Sequence, residues 1–250
     1  YGPVSALAGG EPVYISTAKS NFKLRPADIE KNCDSKTKAV IFNYPANPTG
    51  VSYTKKELEE IKKVILKHKL IMISDEVYDE LTYDFKHTPF ASLPEAKNNT
   101  LYLNGFSKSY AMTGWRVGYA CGPKEIIAAM TKIHQYTIMC VSITAQMAAC
   151  EALQSGRKAV EEMKREYQRR REFVVDGLNR LGLKCLKPQG AFYAFASIES
   201  TGLNSMDFCS GLLKEQRVAV VPGNAFGSSG EGYIRISYAS SLENLREALN

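Results

Sequence analysis

Three short apolar runs, each stopping at a polar residue, narrow the folds open to this chain. They are KAVIFN (38–43), LIMIS (70–74) and TLYLN (100–104). Each is too short for a buried helix and has the length and branching of a buried strand. A helical segment separates the first two. Thr54-Lys-Lys-Glu57 is a capping box, in which hydroxyl and carboxylate satisfy the free N–H groups at a helix start, and Leu58, Ile61 and Ile65 follow as its apolar stripe. Strand–helix–strand alternation predicts an α/β fold built on a mostly parallel sheet.

A fourth strand is predicted over RVGYAC (116–121). The stretch from about 123 to 153 reads as mostly helical, with a break near IMCVSIT. A long charged amphipathic helix follows over about 157–181, with Val160, Met163, Tyr167, Val174, Leu178 and Leu181 near helical spacing and Gly182 as its C-cap. The pattern then changes. KCLKP, GAFYAFASI, RVAVVPG and GYIRISYA read as strands, with one helix near 206–216 among them. We therefore expect a large domain over 1–165, incomplete at its N-terminus, and a smaller α+β domain over 166–250. No internal repeat or low-complexity tract is visible.

The net charge of +6 is spread over interleaved acids and bases. That pattern predicts a solvated surface and no nucleic-acid partner. Six cysteines form no CxxC pair and three histidines do not cluster, so neither a metal site nor a disulfide framework is expected. Several of the cysteines lie in apolar company and fit a reducing compartment, which predicts a cytoplasmic location. There is no signal-peptide pattern and no apolar run of bilayer length, so no membrane partner is expected. Tyr1 opens inside what reads as a folded segment and Asn250 stops within a helical pattern, SLENLREALN. Both suggest a chain cut at its ends.

The polar residues at the strand ends carry the chemistry. Asn43 and Asn47 follow the first strand, Asp75 the second, and Lys108 the third, within LNGFSKSYAMTGWRVGY. Open α/β sheets bind ligands outside such strand ends. Taken singly, each residue has a plainer reading. Asn47 suits a turn, Asp75 a cap, Lys108 the surface, and Arg235 the outward side of a half-exposed strand.

Together, NYPANPTG, SDEVYDELTY, FSKSYAMTGWRVGY and YIRISYA resemble the class I aminotransferases of the pyridoxal-phosphate fold type I superfamily, nearest its prokaryotic aspartate and aromatic branch. The likeness runs in order along nearly the whole chain. It implies a three-layer, mostly parallel large domain and a smaller C-terminal domain that closes over the site. It makes Lys108 the lysine that holds pyridoxal 5'-phosphate as a Schiff base, since desolvation favours a neutral, nucleophilic amine. Asp75 matches the carboxylate that keeps the ring nitrogen protonated. Asn47 and Tyr78 match the pair on the ring's phenolate oxygen, with Asn47 also near the substrate. Arg116 matches the phosphate-binding arginine, and Ser107 is a second phosphate contact. Arg235 matches the fork that grips the substrate's α-carboxylate. Gly105 departs from the commoner pattern, which has a phosphate-binding serine three residues before the lysine. Asn104, Ser107 and Ser109 are the candidates to compensate.

The resemblance implies ping-pong transfer of an amino group from an L-amino acid (aspartate, aromatic or alanine-like) to a 2-oxo acid such as 2-oxoglutarate. It also implies a homodimer of the intact protein, and a ring-stacking aromatic just before Tyr1. Two other activities share these motifs: a carbon–sulfur β-lyase using the same cofactor, and an aminotransferase-like domain of a transcription regulator.

Overall fold

The computed structural model describes residues 1–250. A short helix α1 (Gly2–Leu7) and a second, α2 (Pro26–Asn32), precede strand β1 (Ala39–Asn43), helix α3 (Lys55–Lys67), β2 (Ile71–Asp75), β3 (Thr100–Gly105) and β4 (Gly118–Cys121). These strands form one sheet in the order β1-β2-β3-β4. The first three are parallel and β4 is antiparallel to β3. The capping box at Thr54 forms in both directions: Glu57 N–H donates to the hydroxyl, and the Glu57 carboxylate accepts from Thr54 N–H at 2.7 Å.

Leu58, Ile61 and Ile65 are buried and pack with Ile29 of α2 against Phe42 and Met72 of the sheet. Each such side chain contributes about 1.5–3 kcal/mol by leaving water. β1 is less buried than its apolar sequence predicts: only Phe42 is enclosed, and Ile41 is 38% exposed. It is the edge strand, and α2 and α3 cover one of its faces.

The helical stretch divides as expected, into α4 (Lys124–Thr137) and α5 (Ile143–Ser155), before the long α6 (Arg157–Arg180). Gly182 takes φ 79° just beyond it, a conformation open to glycine at little cost. Leu181, read as part of the apolar stripe, is the C-cap and is exposed.

The second sheet has three antiparallel strands, β5 (Tyr193–Ser197), β6 (Val221–Pro222) and β7 (Tyr233–Ser237), in the order β5-β7-β6, with helices α7 (Ser205–Gln216) and α8 (Leu242–Leu249). Two expected strands shrink. RVAVVPG yields two paired residues, since Pro222 has no N–H to extend a ladder. KCLKP yields a single bridge, Cys185 to Ala196. Val174 and Leu178 of α6, Ile234 of β7 and Leu245 of α8 share the core of this unit.

The two sheets are joined by backbone. Gln189 and Gly190 N–H both donate to Gly50 O, at 2.8 and 2.9 Å, and Ala191 N–H to Leu81 O at 3.0 Å. Gly50 has φ 68°, and a Cβ there would lie 2.4 Å from Pro188 Cβ. Arg171 of α6 is fully buried at this junction and forks onto Asp84, at 2.7 and 2.9 Å. All six cysteines are free; Cys185 and Cys209 are buried, whereas Cys121, Cys140 and Cys150 are exposed, more than their apolar neighbours predict. No helix is long and apolar enough to cross a membrane.

Candidate active site

The parallel register places three strand ends side by side. Asn43 pairs with Asp75, and Asp75 with Leu103, five residues before Lys108. The strand period of two then sorts neighbouring carboxylates. Glu76 points into the core, fully buried, where it accepts from Ser74 Oγ at 2.6 Å and Phe90 N–H at 3.0 Å and meets His87 Nε2 at 2.5 Å. Those partners offset the cost of enclosing it. Asp75 faces the other way, at the C-terminal end of its strand, and its carboxylate accepts from the Tyr1 hydroxyl. Enclosure of its hydroxyl end, with that carboxylate, pushes the Tyr1 phenol up, although the residue as a whole is 60% exposed.

The loop after β1 folds back over this end. Asn43 Nδ2 donates to Asp75 O at 3.0 Å, and Asn43 Oδ1 accepts from Asn47 N–H at 3.0 Å. Tyr78 sits in the turn leaving β2, buried, with its hydroxyl 3.1 Å from that of Tyr193 in β5. Burial first, then the Tyr193 hydroxyl, raises the Tyr78 phenol, while Arg235 pulls the other way.

Lys108 lies half-buried in the turn after β3. Its Nζ is 5.9 Å from the centre of the Tyr78 ring and 5.6 Å from that of Phe192. Arg235 reaches the same place from β7. Its guanidinium lies between Tyr193, at 4.5 Å, and Phe226, at 5.0 Å, and Nη1 donates to Asn47 Oδ1 at 2.9 Å. Two aromatic faces hold such a planar cation in one orientation. Arg235 Nε is buried with no partner.

Contacts thus run without a break from Lys108 through Tyr78, Tyr193, Arg235, Asn47 and Asn43 to Asp75. Arg116 stands apart. It is exposed, takes φ 53°, and donates from Nη1 to Thr113 O at 2.9 Å. It borders a cavity of about 600 Å³ shared with Trp115, Ile138 and Cys140.

Gly105 has a packing reason. It pairs with Gly118 of β4, and a Cβ on it would lie 3.1 Å from Gly118 Cα and 3.2 Å from Val117 O. Of the groups expected to compensate, Asn104 and Ser109 both donate to Asp79, at 2.7 and 3.3 Å. Ser107 remains as the hydroxyl beside Lys108 outside that network. Sequence reasoning did not find Phe192, Tyr193 or Phe226. The only signal was the aromatic density of GAFYAF and a lone Phe in a glycine-rich loop.

An amine framed by aromatic faces, with an amide, a phenol pair and a guanidinium in one chain of contacts that ends at the backbone of a carboxylate-bearing residue, Asp75, suits carbonyl–amine chemistry on a carboxylate-bearing substrate. The family model for aminotransferase class I and II matches residues 1–250. The chain is 49% identical to an aspartate aminotransferase of Pyrococcus abyssi and 47% to aromatic-amino-acid aminotransferase 2 of Thermococcus litoralis, each over all of this chain and 65% of the relative. It therefore spans about two thirds of the length of the curated relatives it matches. The crystal structure of an aromatic aminotransferase from Pyrococcus horikoshii superposes with a TM-score of 0.96 at 49% identity, covering all of this chain and 68% of that one.

Proposed function

The chain belongs to the class I and II aminotransferases, and from that premise we propose that the intact protein is a pyridoxal-phosphate-dependent transaminase. It would move the amino group of an L-amino acid, aspartate-like or aromatic, to a 2-oxo acid such as 2-oxoglutarate. The observation that carries this reading is Lys108 Nζ near the Tyr78 and Phe192 rings, linked through Tyr78 and Tyr193 to Arg235 and Asn47. The names of the similar Pyrococcus and Thermococcus enzymes support the donor classes.

The residues present fit the cofactor by their donor set. Asp75 already accepts an O–H donor, as it would accept a ring N–H, and the buried Arg235 Nε has no protein partner. Once bound, pyridoxal phosphate supplies an electron-withdrawing ring that stabilises negative charge at the substrate's α-carbon. The chain's own groups do the rest. Asp75 favours a protonated ring nitrogen. Asn47 and Tyr78 would hold the ring's phenolate oxygen. Ser107 and Arg116, the latter exposed and here bonded to Thr113 O, would hold the phosphate. Arg235, oriented by Tyr193 and Phe226, binds the α-carboxylate. Lys108 Nζ would take the α-proton and deliver it, as base and then acid.

The same reading divides the chain near residue 165, within α6, and includes a homodimer of the intact protein in the cytoplasm. Exposed apolar side chains on α4 and α5, such as Tyr136, Ile143 and Met147, are of the kind an interface buries. Six unpaired thiols fit a reducing compartment. The test is an assay of the full-length protein with 2-oxoglutarate and a panel of amino acids. Glutamate formed together with the matching 2-oxo acid supports the proposal. Pyruvate and ammonia without an acceptor would identify a lyase instead.

A further inference from the structure

Asp79 sits next to Tyr78 in sequence but turns the other way, and four donors converge on its carboxylate. Oδ2 accepts from Asn104 Nδ2 at 2.7 Å and from the Tyr102 hydroxyl at 3.3 Å. Oδ1 accepts from Ser109 Oγ at 3.3 Å and from Glu80 N–H at 2.7 Å. Asn104 in turn accepts from Gly105 N–H at 2.6 Å. Ser109 is buried and is the residue after Lys108. One carboxylate therefore ties together the turn leaving β2, the end of β3 and the turn that carries Lys108.

We propose that Asp79 is a positioning residue, holding the Lys108 turn against the exit of β2 so that Lys108 and Tyr78 keep their spacing. The inference rests on the transaminase reading of Lys108. Its geometry is specific to a carboxylate. Both oxygens are used as acceptors, and each meets one group that can only donate, Asn104 Nδ2 on one and Glu80 N–H on the other, so an amide in the same place would set its N–H₂ against a donor. Misplacement of a reacting group by about 1 Å costs up to about a hundredfold in rate. Asp79 makes none of the contacts expected of cofactor or substrate, so its loss should act on the lysine's placement and leave amino-acid binding alone.

The test uses the full-length protein and the variants Asp79→Asn, Ser109→Ala, their double, and Val174→Ala. The last trims the core of the smaller unit and serves as a control for a few degrees' loss of Tm. Three quantities are read: kcat, KM for the amino acid, and the rate at which borohydride traps pyridoxal phosphate on the Lys108 peptide, followed by mass. Asp79→Asn should lower kcat and the trapping rate about 10-fold or more with KM within about twofold. Ser109→Ala should add little on top of it, since both cut the same link. Val174→Ala should keep both rates. If Asp79→Asn behaves as Val174→Ala does, the positioning role is wrong while the transaminase reading stands. If the unaltered protein traps nothing on Lys108, both are wrong.

Discussion

Arg235 Nη1 donates to Asn47 Oδ1 at 2.9 Å, joining the smaller sheet to the loop after β1 across 188 residues of sequence. The Tyr193 and Phe226 rings on its guanidinium fix the fork that would meet a carboxylate. Arg235→Lys should raise KM for the amino acid about 10- to 100-fold, because one ammonium replaces neither the paired hydrogen bonds nor the stacking. Steady-state kinetics of the intact protein check this. An unchanged KM would put the carboxylate site elsewhere.

Lys108→Ala should abolish turnover and leave the fold intact. The side chain is half-buried and its amine makes only distant contacts with the Tyr78 and Phe192 rings. Its Tm should stay within a few degrees of the parent's. Substantial turnover in a folded Lys108→Ala protein would sink the assignment of the lysine.

The buried Arg171 gives a stability prediction. Asp84→Ala leaves its guanidinium with Pro188 O and Glu172 as remaining acceptors. Because Asp84 is itself 40% exposed, the cost should be about 1–3 kcal/mol, below that of a fully enclosed pair. The hydrogen bond from Arg171 holds the Asp84 carboxyl below the usual carboxylate range. Its contribution is therefore present above the unfolded-state value near pH 4 and is lost as pH falls through the folded one. Urea midpoints at pH 7 and pH 3 measure both effects: the difference between parent and Asp84→Ala should shrink at the lower pH. A constant difference would contradict it.

Gly105→Ser should cost about 1–3 kcal/mol, since its Cβ would press on the Gly118 backbone. It should not tighten cofactor binding, even though it installs the hydroxyl that the commoner family pattern has. A denaturant midpoint and a cofactor titration on the same variant decide this, and tighter binding with unchanged stability would overturn it.

The strand ends that build the site were legible because their signals are local. KAVIFN, LIMIS and TLYLN each announce a strand that ends at or a few residues before a polar residue of the site, and parallel pairing aligns Asn43 with Asp75. The residues that complete the site carry no local signal. Tyr78 and Tyr193 meet across 115 residues, and no pattern in GAFYAF says which ring will face Lys108. Arg171 looks like any charge on a helix containing REYQRRREF, yet it is fully buried at the junction of the two sheets. Asp79 is hidden among the acids of SDEVYDE. Only the turn that follows β2 separates its direction from that of Tyr78. β6 shows the opposite error, in which an apolar run promised more strand than Pro222 permits.

The most direct measurement is an absorbance spectrum of the full-length protein with pyridoxal phosphate, before and after single amino acids are added without an acceptor. A near-visible band distinct from that of free pyridoxal phosphate, absent in Lys108→Ala and converted by one amino acid to the spectrum of pyridoxamine phosphate, is the expected result and would name the donor. A folded protein that gives no such band, or a band unaltered by Lys108→Ala, would contradict the central claim.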